Sequence, residues 1–214
     1  MSESPWTTTP DPQRDVVLDT RTLRALAHPV RVTLLRLLRS NGPSTATRLA
    51  EELGLNSGAT SYHLRQLANA GLLIEDERRG TGRDRWWRAA HRSSFYDTGV
   101  DPGTPDDGER QVGTAYLNAI ASAYAERLQR AAQDLATLPD EWRRGVNLSD
   151  FRLRLTPEEV DSMLQEVFAV IARYRRDDGL GADQATDVVP EGARPIVLQV
   201  QSFPIVEAAP PATA

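Results

Sequence analysis

Apolar positions in the first 92 residues follow a helical period, broken at regular intervals by caps and turns. Residues 18–27 place Leu23, Leu26 and Ala27 on one side of a short helix, with Asp19 or Thr20 as its cap. Pro29 opens a second helix, where its missing N–H costs nothing, and Val30, Leu34, Leu37 and Leu38 supply its apolar face. Asn41-Gly42-Pro43 stops that helix. A third helix over about residues 46–53 takes Ser44 or Thr45 as cap, Leu49 and Leu53 as anchors and Gly54 as stop. A fourth, over about residues 57–70, starts at Asn56 or Ser57 and ends at Gly71. Its Thr60, Leu64 and Leu67 recur at i, i+4 and i+7, which marks one buried face. A short helix, a tight glycine turn and a longer helix make the layout of a helix-turn-helix.

The period then shortens to two. Residues 72–76 read as a strand, residues 78–84 as a glycine-containing turn with a charged tip, and residues 85–89 as the return strand. Of Trp86 and Trp87, one faces the helices and the other the outer surface of this hairpin. Residues 97–108, rich in proline, glycine and acid, read as a linker. A long helical seam follows, through Val112, Tyr116, Ala119, Ile120, Ala123, Leu128, Ala131 and Leu135, until Pro139. A seam of this length suits pairing of two chains, and it also suits burial within one; it is taken here as the dimerisation face. Farther on, Phe151, Leu153 and Leu155 alternate with Arg152 and Arg154 in a half-buried strand pattern. Thr156-Pro157-Glu158-Glu159 is a capping box with proline at the first helical position. Val160, Leu164, Val167, Phe168 and Ile171 line one face of the helix that follows, and residues 196–203 form a second β-rich run.

The expected fold class is therefore α+β: an N-terminal winged helix-turn-helix, a long central helix and a small C-terminal strand–helix–strand module. The expected divisions are a disordered tail over 1–16 and a winged helix-turn-helix over 17–96. A linker over 97–108, the long helix over 109–138, an α/β module over 139–205 and a second disordered tail over 206–214 follow.

Charge sharpens this division. The chain carries −5 overall, which by itself argues weakly against nucleic acid. Residues 1–92 hold 14 arginines against 10 acidic residues, a net of +4, and residues 93–214 hold 11 against 20, a net of −9. A basic first part joined to an acidic second part fits nucleic-acid binding by the first part alone. The chain has no cysteine, which removes disulfides, thiolate metal sites and cysteine nucleophiles together. Its three histidines, His28, His63 and His91, have no metal-site spacing, so no metal and no other cofactor is expected. There is no P-loop, no GxGxxG and no nucleophile elbow, and hence no motif for an enzyme. No apolar run approaches the roughly 20 residues of a membrane span, and the N-terminus lacks a basic start followed by an apolar stretch; a cytoplasmic protein without a membrane partner is expected.

Residues 22–92 resemble the DNA-binding domain of the ArsR-like winged helix-turn-helix family of bacterial transcriptional regulators. The resemblance rests on Leu26-Ala-His-Pro-Val-Arg31, Leu49-Ala-Glu-Glu-Leu53, Ser61-Tyr-His-Leu-Arg-Gln-Leu67, Ala70-Gly-Leu72 and Arg83-Asp-Arg-Trp-Trp-Arg88, in that order and spacing. It implies a homodimer that represses from a palindromic double-stranded DNA operator, with the fourth helix in the major groove and the hairpin wing near the minor groove. On that footing Ser57, Gly58, Ala59, Ser61, Tyr62 and Arg65 take the major-groove positions. Arg48, His63, Arg78, Arg79, Arg83 and Arg85 take the DNA backbone or minor-groove positions; His63 matches a family histidine that supports the helix or touches backbone. The metal-sensing members' thiolates have no counterpart, so the resemblance is to a non-metal-sensing type with an extra C-terminal domain. That domain has three open readings: an unknown small-molecule effector site, a buttress of the dimer, or a protein-binding surface. A winged-helix protein–protein interaction module without sequence-specific DNA binding is the alternative to the regulator.

Overall fold

Each N-terminal helix forms where a side chain closes its first turn. The computed structural model describes residues 11–12, 14–79, 85–96, 107–174 and 190–205 of the 214. In chain order these form β1 (Asp15–Val17), α1 (Thr20–Leu26), α2 (Pro29–Ser40), β2 (Ser44–Thr45), α3 (Ala46–Leu53) and α4 (Ser57–Asn69). Next come β3 (Leu73–Glu75), β4 (Trp86–Ala89), β5 (Ser93–Phe95) and α5 (Asp107–Asp134). A 3-10 turn (Leu135–Thr137), α6 (Asp140–Arg143) and α7 (Pro157–Ile171) complete the order. Asp19 caps α1 in a reciprocal box with Thr22, and Thr45 caps α3 by accepting from the Arg48 N–H. His28, immediately before the stiff Pro29, caps α2, its Nδ1 accepting from the Val30 N–H at 3.2 Å.

The helices bury their apolar stripes together. Leu34, Leu64, Leu67 and Leu72 lose all contact with solvent, and Leu26, Leu35, Leu38, Leu49 and Leu73 nearly so. The wing is the antiparallel sheet β2-β4-β3, with Thr45 opposite Trp86 and Glu75 opposite Trp87. Trp87 is buried on the helices and Trp86 stands half-buried on the other side, as period-two alternation requires. The first half of α5 packs on α1 and α2, and its Tyr116 joins the leucine core with Val112 and Ile120 beside it.

Three features lie outside the pattern reading. Residues 15–17, of which 15 and 16 are expected in the tail, form β1 and pair in parallel with β5, Asp15 opposite Ser93. A clip of polar groups holds that pair to α2: Arg39 Nε donates to the His91 carbonyl at 3.0 Å, and its terminal nitrogen donates to Ser94 Oγ at 2.8 Å. Burial lowers the Arg39 guanidinium to about 10, opposed by nearby Tyr116 and Asp15. In the C-terminal part α7 starts at its capping box as expected. The flanking runs 151–155 and 196–203, however, belong to no ladder among the described residues. An alternating pattern supplies one apolar face and an edge, but a strand also needs a neighbour to accept and donate. The expected linker and both expected tails lie largely outside the described residues, as does Arg83. No helix among the described residues is long and apolar enough to cross a membrane.

Gly113 sits where α5 crosses Tyr96. A Cβ there would meet the Tyr96 hydroxyl well inside contact distance, and Tyr96 is itself held edge-on against Tyr116, ring centroids 5.4 Å apart. Alanine ordinarily gains about 1 kcal/mol over glycine inside a helix, whereas overpacking costs about 1–3 kcal/mol. Gly113→Ala should therefore lower the chemical-denaturation midpoint. In a Tyr96→Phe background, where the hydroxyl is gone, the same substitution should cost less or stabilise.

Candidate nucleic-acid interface

The turn between α3 and α4 is set by Gly54, whose φ of 65° lies in the left-handed region that glycine enters without a Cβ clash. The Leu55 N–H then donates to the Ala50 carbonyl at 2.8 Å, closing α3. Asn56 starts α4: its Oδ1 accepts from the Gly58 and Ala59 N–H groups at 2.8 and 3.3 Å. The Thr60 hydroxyl donates back to the Asn56 carbonyl at 3.0 Å, so this buried polar side chain is satisfied locally.

With Thr60, Leu64 and Leu67 fully buried, the orientation of α4 is fixed. Ser57, Gly58, Ala59, Tyr62 and Arg65 are exposed on the opposite side, and Ser61 is half-buried. Tyr62 shows 54% of its surface, and its ring meets that of His63 edge-on, centroids 5.6 Å apart. Arg65 Nε donates to the Ser61 carbonyl at 3.2 Å, which holds its stem along the helix.

His63 turns inward. Its ring lies 4.6 Å from the ring of His28, and Arg31 of α2 is the next charged neighbour. Burial, then the proximity of His28 and Arg31, lowers the His63 pKa; burial and Arg31 lower that of His28. Both imidazoles therefore favour the neutral form where α2 meets α4.

The arginines of the wing divide by partner. Trp86 forms a platform: the Arg48 guanidinium lies 4.8 Å and that of Arg79 5.8 Å from its ring centre. This brings α3 and the wing to one aromatic face, a grouping that the sequence order of Arg48 and Arg79 does not show. Arg79 also pairs with Asp76 at 3.6 Å, and Arg85 pairs with Glu75 at 3.1 Å while lying over Trp87. Arg78 is exposed and takes part in no ion pair among the described residues. One further arginine was not singled out by the pattern: Arg21 of α1 donates to the Asn69 carbonyl at the end of α4 and ties the two helices. Its signal, an isolated arginine on a short polar face, is indistinguishable in sequence from a solvated charge.

Of the eight seam positions, seven on α5 and Leu135 in the 3-10 turn after it, Tyr116, Ala119 and Ala123 are buried within their own chain, and Val112 and Ile120 are partly so. Leu128 and Ala131 are exposed, and Leu135 is half-buried. No group of three or more metal-ligating side chains gathers among the described residues.

A family model described as a helix-turn-helix domain matches residues 26–76, the span from the end of α1 through the first wing strand. The HTH-type transcriptional regulator NmtR of Mycobacterium tuberculosis (strain ATCC 25618 / H37Rv) is 49% identical over 55 residues, 26% of this chain. The aligned stretch spans 45% of that relative's length, less than half.

Two outcomes are expected. Asn56→Ala removes the acceptor for two N–H groups and should cost about 1 kcal/mol, with Asn56→Asp nearly neutral, measured by thermal melting. The paired histidines should make stability pH-dependent. Their folded pKa values lie below 6.5, so the unfolded chain binds protons first as pH falls. Their contribution is fully present above about pH 6.5 and declines below it. Denaturant midpoints from pH 8 to pH 5 should fall in the natural chain and fall less in His63→Gln; equal slopes in the two would contradict this assignment.

Proposed function

We propose that this protein is a transcriptional regulator that binds double-stranded DNA through α3, the Gly54 turn and α4, with the hairpin wing alongside. It acts as a homodimer on a two-fold operator and represses. One observation carries the reading: α4 is held by a fully buried face and a capped first turn, and it offers Ser57, Gly58, Ala59, Tyr62 and Arg65 outward, beside Arg48 and Arg79 on Trp86. The match of residues 26–76 to a helix-turn-helix domain and the printed role of NmtR support it.

The division of labour follows from chemistry. Small residues at positions 57–59 let the start of α4 approach the groove closely. Tyr62 and Arg65 reach base edges, and Ser61 lies at the edge of that face. Arg48, Arg78, Arg79 and Arg85 add positive charge at the DNA backbone, with Arg83 at the wing tip for the minor groove; His63 supports the reading helix from behind. The two-fold operator follows from geometry: a dimer presents two reading helices, whose half-sites lie roughly 34–36 Å apart or a multiple of that.

The test begins with selection of genomic fragments by the purified full chain. Variants are then titrated against operator, single-base variants and scrambled duplex at several salt concentrations. Tyr62→Ala or Arg65→Ala should weaken operator more than scrambled DNA, and at least one should relax preference at a base pair, by about 1–3 kcal/mol. Arg79→Ala and Arg83→Ala should weaken both duplexes alike and reduce the salt slope by about one unit each. Salt-independent binding, or no loss with any of the four in folded protein, would instead place the partner surface elsewhere and favour a protein-binding module.

A further inference from the structure

The C-terminal part exposes what a folded chain ordinarily covers. Every residue from 143 to 159 is exposed, and so is every residue from 190 to 205 except Gln199. These stretches hold Phe151 at 78% and Phe203 at 77% exposure, with Leu153, Leu155, Ile196 and Leu198 among the others. Among the described residues no backbone N–H of 150–155 or 194–205 donates to another backbone group. The second run is nonetheless held in place at two points: the Gln199 amide donates to the Tyr124 carbonyl at 3.5 Å, and Arg194 lies over the Trp142 ring at 5.4 Å. Between the runs, α7 covers only Leu164.

We propose that residues 151–155 and 196–203 close a β-sheet with the same two segments of a second copy of this chain. The resulting interface is separate from the α5 seam. Its stoichiometry rests on the two-fold reading above.

Three observations select a second copy as the occupant. The first is area. Taking about 150–250 Å² for a whole aromatic side chain and somewhat less for an aliphatic one, the exposed side chains of the two runs amount to on the order of 1,000 Å². That exceeds the roughly 300–600 Å² largest patch of a typical monomer and matches the roughly 800 Å² each partner contributes to a stable interface. The second is the backbone. Both runs carry strand patterning and both lack a ladder, so a two-fold pairing satisfies both in both copies, as an isologous interface does. The third is charge. Arg152 and Arg154, alternating with the apolar positions, form no ion pair among the described residues. The helix between the two runs, α7, carries Glu158, Glu159, Asp161 and Glu166 and no base. Across a dyad, the arginines of one copy meet the acids of the other.

The experiment uses the full chain. Sedimentation across nanomolar to high micromolar concentration gives the mass, and hydrogen exchange followed by mass spectrometry is run on either side of the association midpoint. The expected result is a dimer in which amides of 151–155 and 196–203 exchange at least tenfold more slowly than in the dilute monomer. A double variant, Arg152→Glu with Arg154→Glu, alters only exposed positions. It should raise the dimer dissociation constant at least tenfold at low salt, and less at high salt, while the helical circular dichroism of the chain is unchanged. Leu153→Asp with Leu198→Asp should give a monomer, whereas Leu128→Glu on α5 should not. A dimer whose two segments exchange as fast as unstructured chain overturns the proposal and leaves the two-fold reading intact. Protection of both segments in a monomer overturns it too and places the occupant within the chain. A monomer that protects an asymmetric DNA site ends both.

Discussion

The buried face of α4 is the constraint on which the N-terminal half turns. Thr60, Leu64 and Leu67 have no exposed surface, and they can be buried together only when the helix sits against α2 and α3 in one rotation about its axis. Dense packing tolerates no intermediate rotation, because a turn of the helix by one residue would replace a leucine by a polar side chain in the core. Everything offered by the outer face inherits this rotation. The caps serve it as well: Asn56 fixes where α4 begins, and the left-handed Gly54 fixes the angle at which it leaves α3. The outer face of α4 has short side chains at its start and Tyr62 and Arg65 farther along, and the leucines behind it set where each of them stands.

Charge is organised by the same economy of partners. The chain uses arginine for all its basic positions, and Arg79 and Arg85 of the wing, with Arg48 of α3, are already engaged by a carboxylate or an aromatic face. Exposed pairs of this kind contribute little to stability. Their effect is to order long side chains, so that Arg48 and Arg79, distant in sequence, converge over Trp86. A carboxylate partner also tempers the field, and phosphate could displace it in competition. The polar clip of Arg39, Ser94 and the His91 carbonyl works differently: it is buried, and it joins the strand after the wing to α2.

The two halves of the chain stand on different physical footings. The N-terminal half, with the start of α5, closes a leucine core of its own. The C-terminal half has a well-capped helix but little that it covers, and a helix of 15 residues owes most of its stability to packing. Exposed strand-patterned runs on either side of it leave apolar area and backbone hydrogen-bonding groups without partners among the described residues.

Helical spacing and caps determined α1 to α4 and α7 almost to the residue, because those signals act within a few positions: Asp19, Pro29, Thr45, Gly54, Asn56 and Thr156 each act on their own turn. The outward set on α4 was legible for the same reason, since naming the buried face of a helix names the open one. Tertiary structure alone decided the rest. Residues 15–17 became a strand only because β5 lay beside them, and three polar-flanked residues carry no periodic signal of their own. His63 was drawn inward by His28, and Arg48 and Arg79 were gathered by Trp86, through contacts between segments whose distance in sequence hides them. The seam on α5 was visible as a seam, and only the fold showed that Tyr116, Ala119 and Ala123 are covered by their own chain while Leu128 and Ala131 stay open. Likewise the alternation in 151–155 marked a strand without naming its neighbour, because a ladder is a property of two segments and periodicity is a property of one.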